Sequence, residues 1–431
     1  MTARADERRR RTLIGAVVAA VLIVSAAGLT AVGANAVLNS TEGEVAAVDS
    51  RPVLSLPATD NAALAVVDDD NRLTSLIVAT LLPAGQGGTI VTIPVTADST
   101  ALFGEVRRPL NRELNSADPS SFFQQVEATV AVTLQFGEIV GANRLTELLE
   151  PTIPVTVDVG VDVIDSDDQG ARVVVGAGEQ RLDGPLLAAA LTATEAGADE
   201  RTQHAIDVAL WTGVADSAPV NSSAPVTLDG DGRPTESATV DELFARLWSG
   251  PVQVRDLQII PPAFVGSDSF VVLDRRDVVL VFAQISPARV SAPNPGPVFR
   301  LEIPITAAQL AASDSGLASR QEIALEAIAT LLFLDGNVVS VDATPSPDGA
   351  PLVTRIEAAS EEIFAAMEEL GPPTFGEVEV VLAKELIDGI DVVVRLGTSY
   401  LDAQAAQAVA VEVVEPNAST PDDAATVDTD G

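Results

Sequence analysis

Ala62-Ala-Leu-Ala-Val-Val67, Asp68-Asp-Asp-Asn-Arg72, Leu73-Thr-Ser-Leu-Ile-Val-Ala-Thr-Leu-Leu82, Pro83-Ala-Gly-Gln-Gly-Gly88 and Thr89-Ile-Val-Thr-Ile-Pro-Val95 decide the fold. Ala62–Val67 reads as a short buried strand, and Leu73–Leu82 is a second apolar run. Pro83–Gly88 is a turn, because its glycines relieve φ and its proline stops pairing. Thr89–Val95 is a third strand, rich in β-branched residues. The unit is a strand–turn–strand hairpin, and helices on its C-terminal side make the class α/β.

Phe122, Phe123, Val126, Val130 and Leu134 recur at helical spacing, so a helix is expected over Pro119–Gly137, with Asp118-Pro119 as N-cap and first turn. Ile139–Leu149 reads as another helix and Val155–Val163 as an alternating strand. Asp165–Asp168 with Gly170 reads as an acidic turn. Leu182–Thr194, Thr202–Val214 and Val240–Trp248 read as helices, with a Ser/Pro/Asp/Gly-rich loop over 215–239. Phe270–Leu273 is a strand, while Arg276–Ile285 suits either type. Pro293, Pro295 and Pro297 mark a linker. Beyond it the expected order is strand Val298–Ile305, helix Ser319–Leu334, strand Val338–Ala343, helix Arg355–Leu370, strand Gly376–Leu382 and strand Asp391–Gly397. From Val414 the chain is polar and acidic, and disorder is expected.

At the other end, Arg4 and Arg8–Arg11 precede an apolar stretch, Leu13–Leu38, with no charge until Glu42. About 20 apolar residues cross a bilayer. The arginines on the N-terminal flank place residues 1–12 in the cytoplasm and the bulk outside. The stretch exceeds the roughly 7–15 residues of a secretory core, so it reads as an uncleaved anchor. Cleavage near Ala31, Gly33 and Ala34 is the alternative. The expected organisation is therefore residues 1–12 basic, 13–38 transmembrane, 39–60 linker, 61–285 first domain, 286–297 Pro-rich linker, 298–402 second domain and 403–431 acidic tail. The chain has no cysteine, which excludes disulfides and thiolate chemistry. Its net charge of −37, from 25 basic and 62 acidic residues, makes nucleic acid and other polyanions poor partners. Lys384 is the one lysine; arginine in its place, with abundant Ala, Val and Gly, suggests a GC-rich bacterial genome.

Catalytic signals are few. His204 is the only histidine and reads as an ordinary surface or core residue of its helix. No Gly-x-Ser-x-Gly elbow, Walker-type loop or His-rich metal spacing occurs. Asp68-Asp69-Asp70 and Asp165, Asp167 and Asp168 are hard-cation candidates by donor type, but each reads first as a solvated turn.

The order of elements resembles the LytR–CpsA–Psr domain over roughly residues 60–290. The carriers are Asn71-Arg-Leu-Thr-Ser-Leu-Ile-Val78, the Pro-Gly turn, Thr89–Pro94, Pro109-Leu-Asn111, and the helices leading to Val155. Leu182-Asp-Gly184 and Asp199-Glu-Arg-Thr-Gln203 complete the set. Ser360–Leu370, Val378–Leu382 and Asp391–Gly397 resemble the LytR C-terminal module. The resemblance implies a mixed α/β sandwich followed by a small α/β domain. It also implies transfer of polymers from a polyprenyl pyrophosphate carrier to peptidoglycan, with arginines on the pyrophosphate and a divalent ion such as Mg²⁺ or Mn²⁺ held by Asp.

The family's ligands are largely replaced. Its Asp after the first Arg falls on Thr74, its Ile-Pro-Arg-Asp on Ile93-Pro-Val-Thr96, and its Arg-x-Arg on Thr192-Ala-Thr194. Arg72 and Arg201 remain at matching places, and Asp98 lies two positions beyond the expected Asp. Each lost charge-assisted hydrogen bond is worth about 1.5–3 kcal/mol. The expectation is therefore an anchored, extracytoplasmic cell-envelope protein, a non-catalytic or weakly active relative of such transferases that binds a lipid-linked precursor or an assembly partner. Two alternatives stand beside it. One is an active phosphotransferase using Arg72, Arg201 and Asp98, helped by Arg107, Arg108 and Arg112. The other is a scaffold acting through residues 297–402. An apolar tunnel for a prenyl chain and a closed core are indistinguishable at this level, because periodicity reports burial and not cavities.

Overall fold

A computed structural model describes residues 51–56, 59–99, 108–167, 170–219, 226–230, 232–260, 270–287 and 296–414. The chain divides into two compact units, Met1–Pro52 and Val53–Gly431. The expected anchor, residues 13–38, lies outside the described residues. Among the described residues no helix is long and apolar enough to cross a membrane.

The second unit is mixed α/β. Its first half runs β1 (Val53–Leu54), β2 (Asn61–Val67), β3 (Leu73–Leu81), β4 (Gly88–Thr92), α1 (Pro119–Val130), β5 (Phe136–Val140) and α2 (Ala142–Leu149). It continues through β6 (Val155–Val159), β7 (Val163–Asp167), β8 (Gly170–Val175), β9 (Gly178–Leu182), α3 (Gly184–Leu191), α4 (Glu200–Asp216) and α5 (Val240–Leu247). β10 (Val252–Asp256), β11 (Ile259–Ile260), β12 (Val272–Leu273) and α6 (Arg275–Ile285) close it.

The quoted stretch is the centre of a five-stranded sheet of order β10-β4-β3-β2-β5. β3 runs antiparallel to β2 and β4, while β5 pairs parallel with β2 and β10 parallel with β4. Every residue of β2 and β3 is buried, because helices cover both faces. Side chains alternate between two cores. Leu64, Val66, Ile77 and Ile90 pack with Leu187, Leu210, Trp211 and Trp248. Ala65, Leu76, Val78 and Val91 pack with Phe122, Val126 and Phe282 on the opposite face. Such two-sided burial explains why these strands read as continuous apolar runs and not as alternating ones. Gly87 takes a left-handed φ of 67° in the turn, and its amide donates to the Arg246 carbonyl at 3.0 Å.

The second half adds β13 (Val298–Glu302), α7 (Ala307–Ala311), α8 (Arg320–Phe333), β14 (Asn337–Asp342), β15 (Thr354–Ala358) and α9 (Glu361–Phe375). It ends with β16 (Val378–Leu382), β17 (Leu386–Ile387), β18 (Val392–Arg395) and α10 (Thr398–Val414). Its sheet has the order β14-β13-β18-β15-β16. Phe299, Leu301, Ile356, Val392 and Val394 face a core built with Ile328, Leu331, Phe375 and Tyr400. The opposite face carries cross-strand ion pairs, among them Arg395–Glu302 at 2.7 Å and Arg355–Glu379 at 3.3 Å. α6 serves both halves: Val278 and Phe282 join a core of the first sheet, and Val279, Leu280 and Ala283 that of the second.

Several expectations are corrected. The helix from Pro119 ends at Val130, not Gly137: Ala131 adopts a left-handed φ of 56°, and Phe136–Val140 is an edge strand of the first sheet. The run Ile139–Leu149 is therefore divided, its first residues in β5 and the rest in α2. Arg355–Ala358 is likewise a strand, with Ile356 and Ala358 inward and Arg355 and Glu357 outward; the helix starts after the Ser360 N-cap, whose hydroxyl accepts from the Ile363 amide at 3.3 Å. In both places a short run of mixed apolar and polar residues fits the two periods equally, and strand pairing decides. Third, Asp165–Asp167 lie in β7, paired with β8, and not in a turn. α10 also continues to Val414, beyond the expected boundary at 402.

Candidate functional site

β2, β4, β5 and β10 all point the same way, so their carboxyl ends share one edge of the sheet. Open α/β sheets bind ligands at this edge. Here it carries the turn 68–72, the segment 93–98 and Asp256.

The turn is built by Asp68. Its Oδ1 accepts from the amides of Asp70 and Arg72, both at 2.9 Å, and Asn71 takes φ of 58°. Oδ2 accepts from Arg72 Nε at 2.7 Å, and Arg72 Nη2 lies 3.3 Å from Asp70. The hydrogen bond it donates to Asp68, then the charges of Asp68, Asp70 and Asp165, hold the guanidinium firmly protonated. The acidic run is thus a turn, and its carboxylates occupy Arg72.

A cleft of about 710 Å³ opens beside this turn, walled by Asp165, Ser166 and Arg172 of the β7–β8 ribbon and by Ala189 and Thr192 of α3. Arg172 pairs with Asp165 at 2.9 Å. Asp68, Asp69, Asp70 and Asp165 therefore outnumber the two arginines in the cleft lining. At the positions where the resemblance implies charged ligands, threonines bond to backbone instead. Thr74 Oγ1 donates to the Leu191 carbonyl at 2.9 Å, and Thr192 Oγ1 to the Ala188 carbonyl at 2.9 Å.

Deeper in the same edge lies a cluster of proton-holding groups. Glu200, His204, Asp207 and Trp211 share one face of α4, at the spacing that stacks side chains turn upon turn. His204 Nε2 lies 2.6 Å from Asp256 Oδ1 at the end of β10. Trp211 Nε1 donates to Ser75 Oγ at 3.0 Å, and Ser75 and Trp211 both hydrogen-bond to Asp207. Burial pushes the Asp207 carboxyl up to about 7, against the opposing pull of Ser75, His204 and Trp211. Burial also raises Glu200, against the opposing pull of Thr96 and His204. For His204, burial acts downward, but the Asp256 hydrogen bond and the charges of Asp207, Asp256 and Glu200 outweigh it, and its pKa is raised. His204 is thus a buried core residue, paired with Asp256. The signal in the sequence was the spacing Glu200, His204, Asp207, Trp211; its partners Ser75 and Asp256 gave none.

Of the expected site residues, Arg72 lines the cleft. Arg201 is exposed on the first turn of α4 and is not among the cleft-lining residues. Asp98 is half-buried, its amide donating to the Val271 carbonyl at 2.9 Å, and it too is absent from the cleft lining. Arg108 is exposed and 3.7 Å from Glu113; Arg107 lies outside the described residues. Among the described residues no three His, Cys, Asp or Glu side chains are placed to hold a metal ion.

No protein-family model matches the chain, and no curated protein matches it. Solved structures do. The chain is similar to TagT bound to LIIa-WTA, at 17% identity over 52% of this chain and 88% of that one, with a TM-score of 0.39. It is similar to TagV of B. subtilis, at 14% identity over 52% and 95%, with a TM-score of 0.38. A third is the LytR–CPS2A–Psr family protein YwtF (TagT) with bound octaprenyl pyrophosphate lipid, at 15% identity over 52% and 87%, with a TM-score of 0.37. The similar structures thus include LytR–CPS2A–Psr proteins, at low identity and over about half of this chain.

Proposed function

We propose that this chain is an extracytoplasmic cell-envelope protein, held by the helix 13–38, that binds or assembles wall components without transferring them. The first half is a LytR–CpsA–Psr-type domain, and residues 298–402 are a LytR C-terminal-type module. The observation that carries the reading is the cleft at the strand ends: Arg72 and Arg172 are each tied to a carboxylate of the cleft itself, and the other lining charges are negative. A pyrophosphate needs free cationic donors, and each charge-assisted bond it fails to make forgoes about 1.5–3 kcal/mol. The half-buried Glu200 and the buried Asp207, at the same end of the sheet, add to the repulsion whenever they ionise.

Titration of the full chain in detergent micelles with geranyl pyrophosphate tests this. No saturable binding is expected beyond that of geraniol. The double variant Asp68→Asn/Asp70→Ala keeps an oxygen for the turn amides and removes both carboxylates from Arg72, and its affinity for the pyrophosphate is expected to rise several-fold. Tight binding by the parent chain that weakens in this variant would overturn the reading.

A further inference from the structure

The two halves meet along α6 and α8, and a cleft of about 250 Å³ opens there, bounded also by Arg255 of β10 and by Ala343 just past β14. Its charge is opposite to that of the cleft at the strand ends. Arg255 and Arg320 both line it, with the side-chain amides of Gln284 and Gln321 beside them. Arg255 is exposed on the edge strand, and among the described residues its guanidinium makes no ion pair. Arg320 spends Nη1 on the Ala343 carbonyl at 2.7 Å, which fixes the side chain and leaves its other N–H groups to the cleft. The one carboxylate in the lining, Asp277, is buried at 3% exposure and accepts from the Gln258 amide at 2.8 Å. Leu280, Val281 and Ile285 of α6 supply the apolar part of the lining.

We infer that this cleft between the two halves is an anion site, taking a phosphate monoester or similar singly headed anion whose alkyl portion lies on the α6 wall. In a chain of net charge −37, two guanidiniums sharing one small cleft without a carboxylate partner form a local attraction that an anion satisfies. The volume suits one phosphate group and a short alkyl chain, and is below the about 300–1,000 Å³ of sites for drug-sized ligands. The inference is independent of the proposed function, since it uses neither the strand-end cleft nor its cluster.

The test is thermal unfolding of the full chain in detergent micelles, titrated with inorganic phosphate, with hexyl phosphate, and with chloride at matched ionic strength. Both phosphates are expected to raise the midpoint saturably over chloride. Hexyl phosphate should do so at about tenfold lower concentration, since burying a few methylenes adds to the same head-group contacts. Arg255→Gln, on an exposed side chain, should leave the unliganded midpoint unchanged and weaken both ligands at least several-fold; Arg255→Gln/Arg320→Gln should abolish the effect. Equal curves for phosphate and chloride, or unchanged binding in Arg255→Gln, would overturn the inference. Equal affinity of the two phosphates would overturn the alkyl assignment.

Discussion

Arg246→Ala is expected to destabilise the protein by about 3–5 kcal/mol, the typical effect of removing one partner of a buried ion pair. Arg246 and Asp60 are 3% and 6% exposed, with Nη1 and Oδ2 3.4 Å apart. The same guanidinium donates Nε to the Gly85 carbonyl at 2.8 Å, and Nη1 to the Thr235 carbonyl and Ser237 Oγ, both at 2.9 Å. It therefore joins α5 to the turn after β3, to the loop before α5 and to the residue that opens β2. Alanine removes all of these at once and leaves Asp60 buried, held only by the Ser237 amide at 2.6 Å. Asp60→Asn should cost less, because an amide oxygen still accepts. Urea unfolding monitored by Trp211 and Trp248 fluorescence measures both, and equal small losses for the two variants would show that the pair contributes nothing.

The second large effect concerns pH. Asp207 titrates at about 7 in the folded chain and at an ordinary 3.8 when exposed, so between these values the folded state holds the extra proton. Stability then falls as pH rises through that window, by about 4 kcal/mol at most for this group. His204 acts in the same direction. Its folded pKa is raised, so its contribution is present below the unfolded value and is lost as pH rises through the folded one. The groups facing Asp207 from its own helix and from β3 are Glu200, His204, Trp211 and Ser75, and none supplies a permanent positive charge. The protein should therefore be more stable near pH 5 than near pH 8. Asp207→Asn, which keeps shape and polarity, should remove most of the slope and be the more stable form at the alkaline end. Urea midpoints across this range decide it; parallel curves for parent and variant would mean that Asp207 ionises elsewhere.

The central sheet was legible because both faces of β2 and β3 are buried, which writes unbroken apolar runs into the sequence. The edge strand β5 and the strand β15 were not, because each has one partly open face and few residues, and helical and strand periods coincide over such lengths. Arg72 was singled out by the resemblance, and it lines the strand-end cleft. What the sequence did not disclose is that Asp68 bonds back to it, since the run Asp68–Asp70 specifies a turn without saying where its carboxylates aim. The cluster on α4 was half legible: its four side chains share a helix face, but His204 and Asp256 are 52 residues apart and Ser75 and Trp211 are 136 apart. Pairings at that range are set by the sheet order and leave no local pattern. Arg246 is the same case, an arginine on an amphipathic helix whose partners come from three other segments.

On the proposed reading, the strand-end site lacks the free cations that polymer transfer from a pyrophosphate carrier requires. The most direct measurement is phosphate or pyrophosphate release from geranyl pyrophosphate by the full chain with Mg²⁺ or Mn²⁺, run beside the Arg72→Ala variant. The expected result is no release above the uncatalysed rate from either protein. Release by the parent chain that disappears in Arg72→Ala would contradict the claim and restore the transferase.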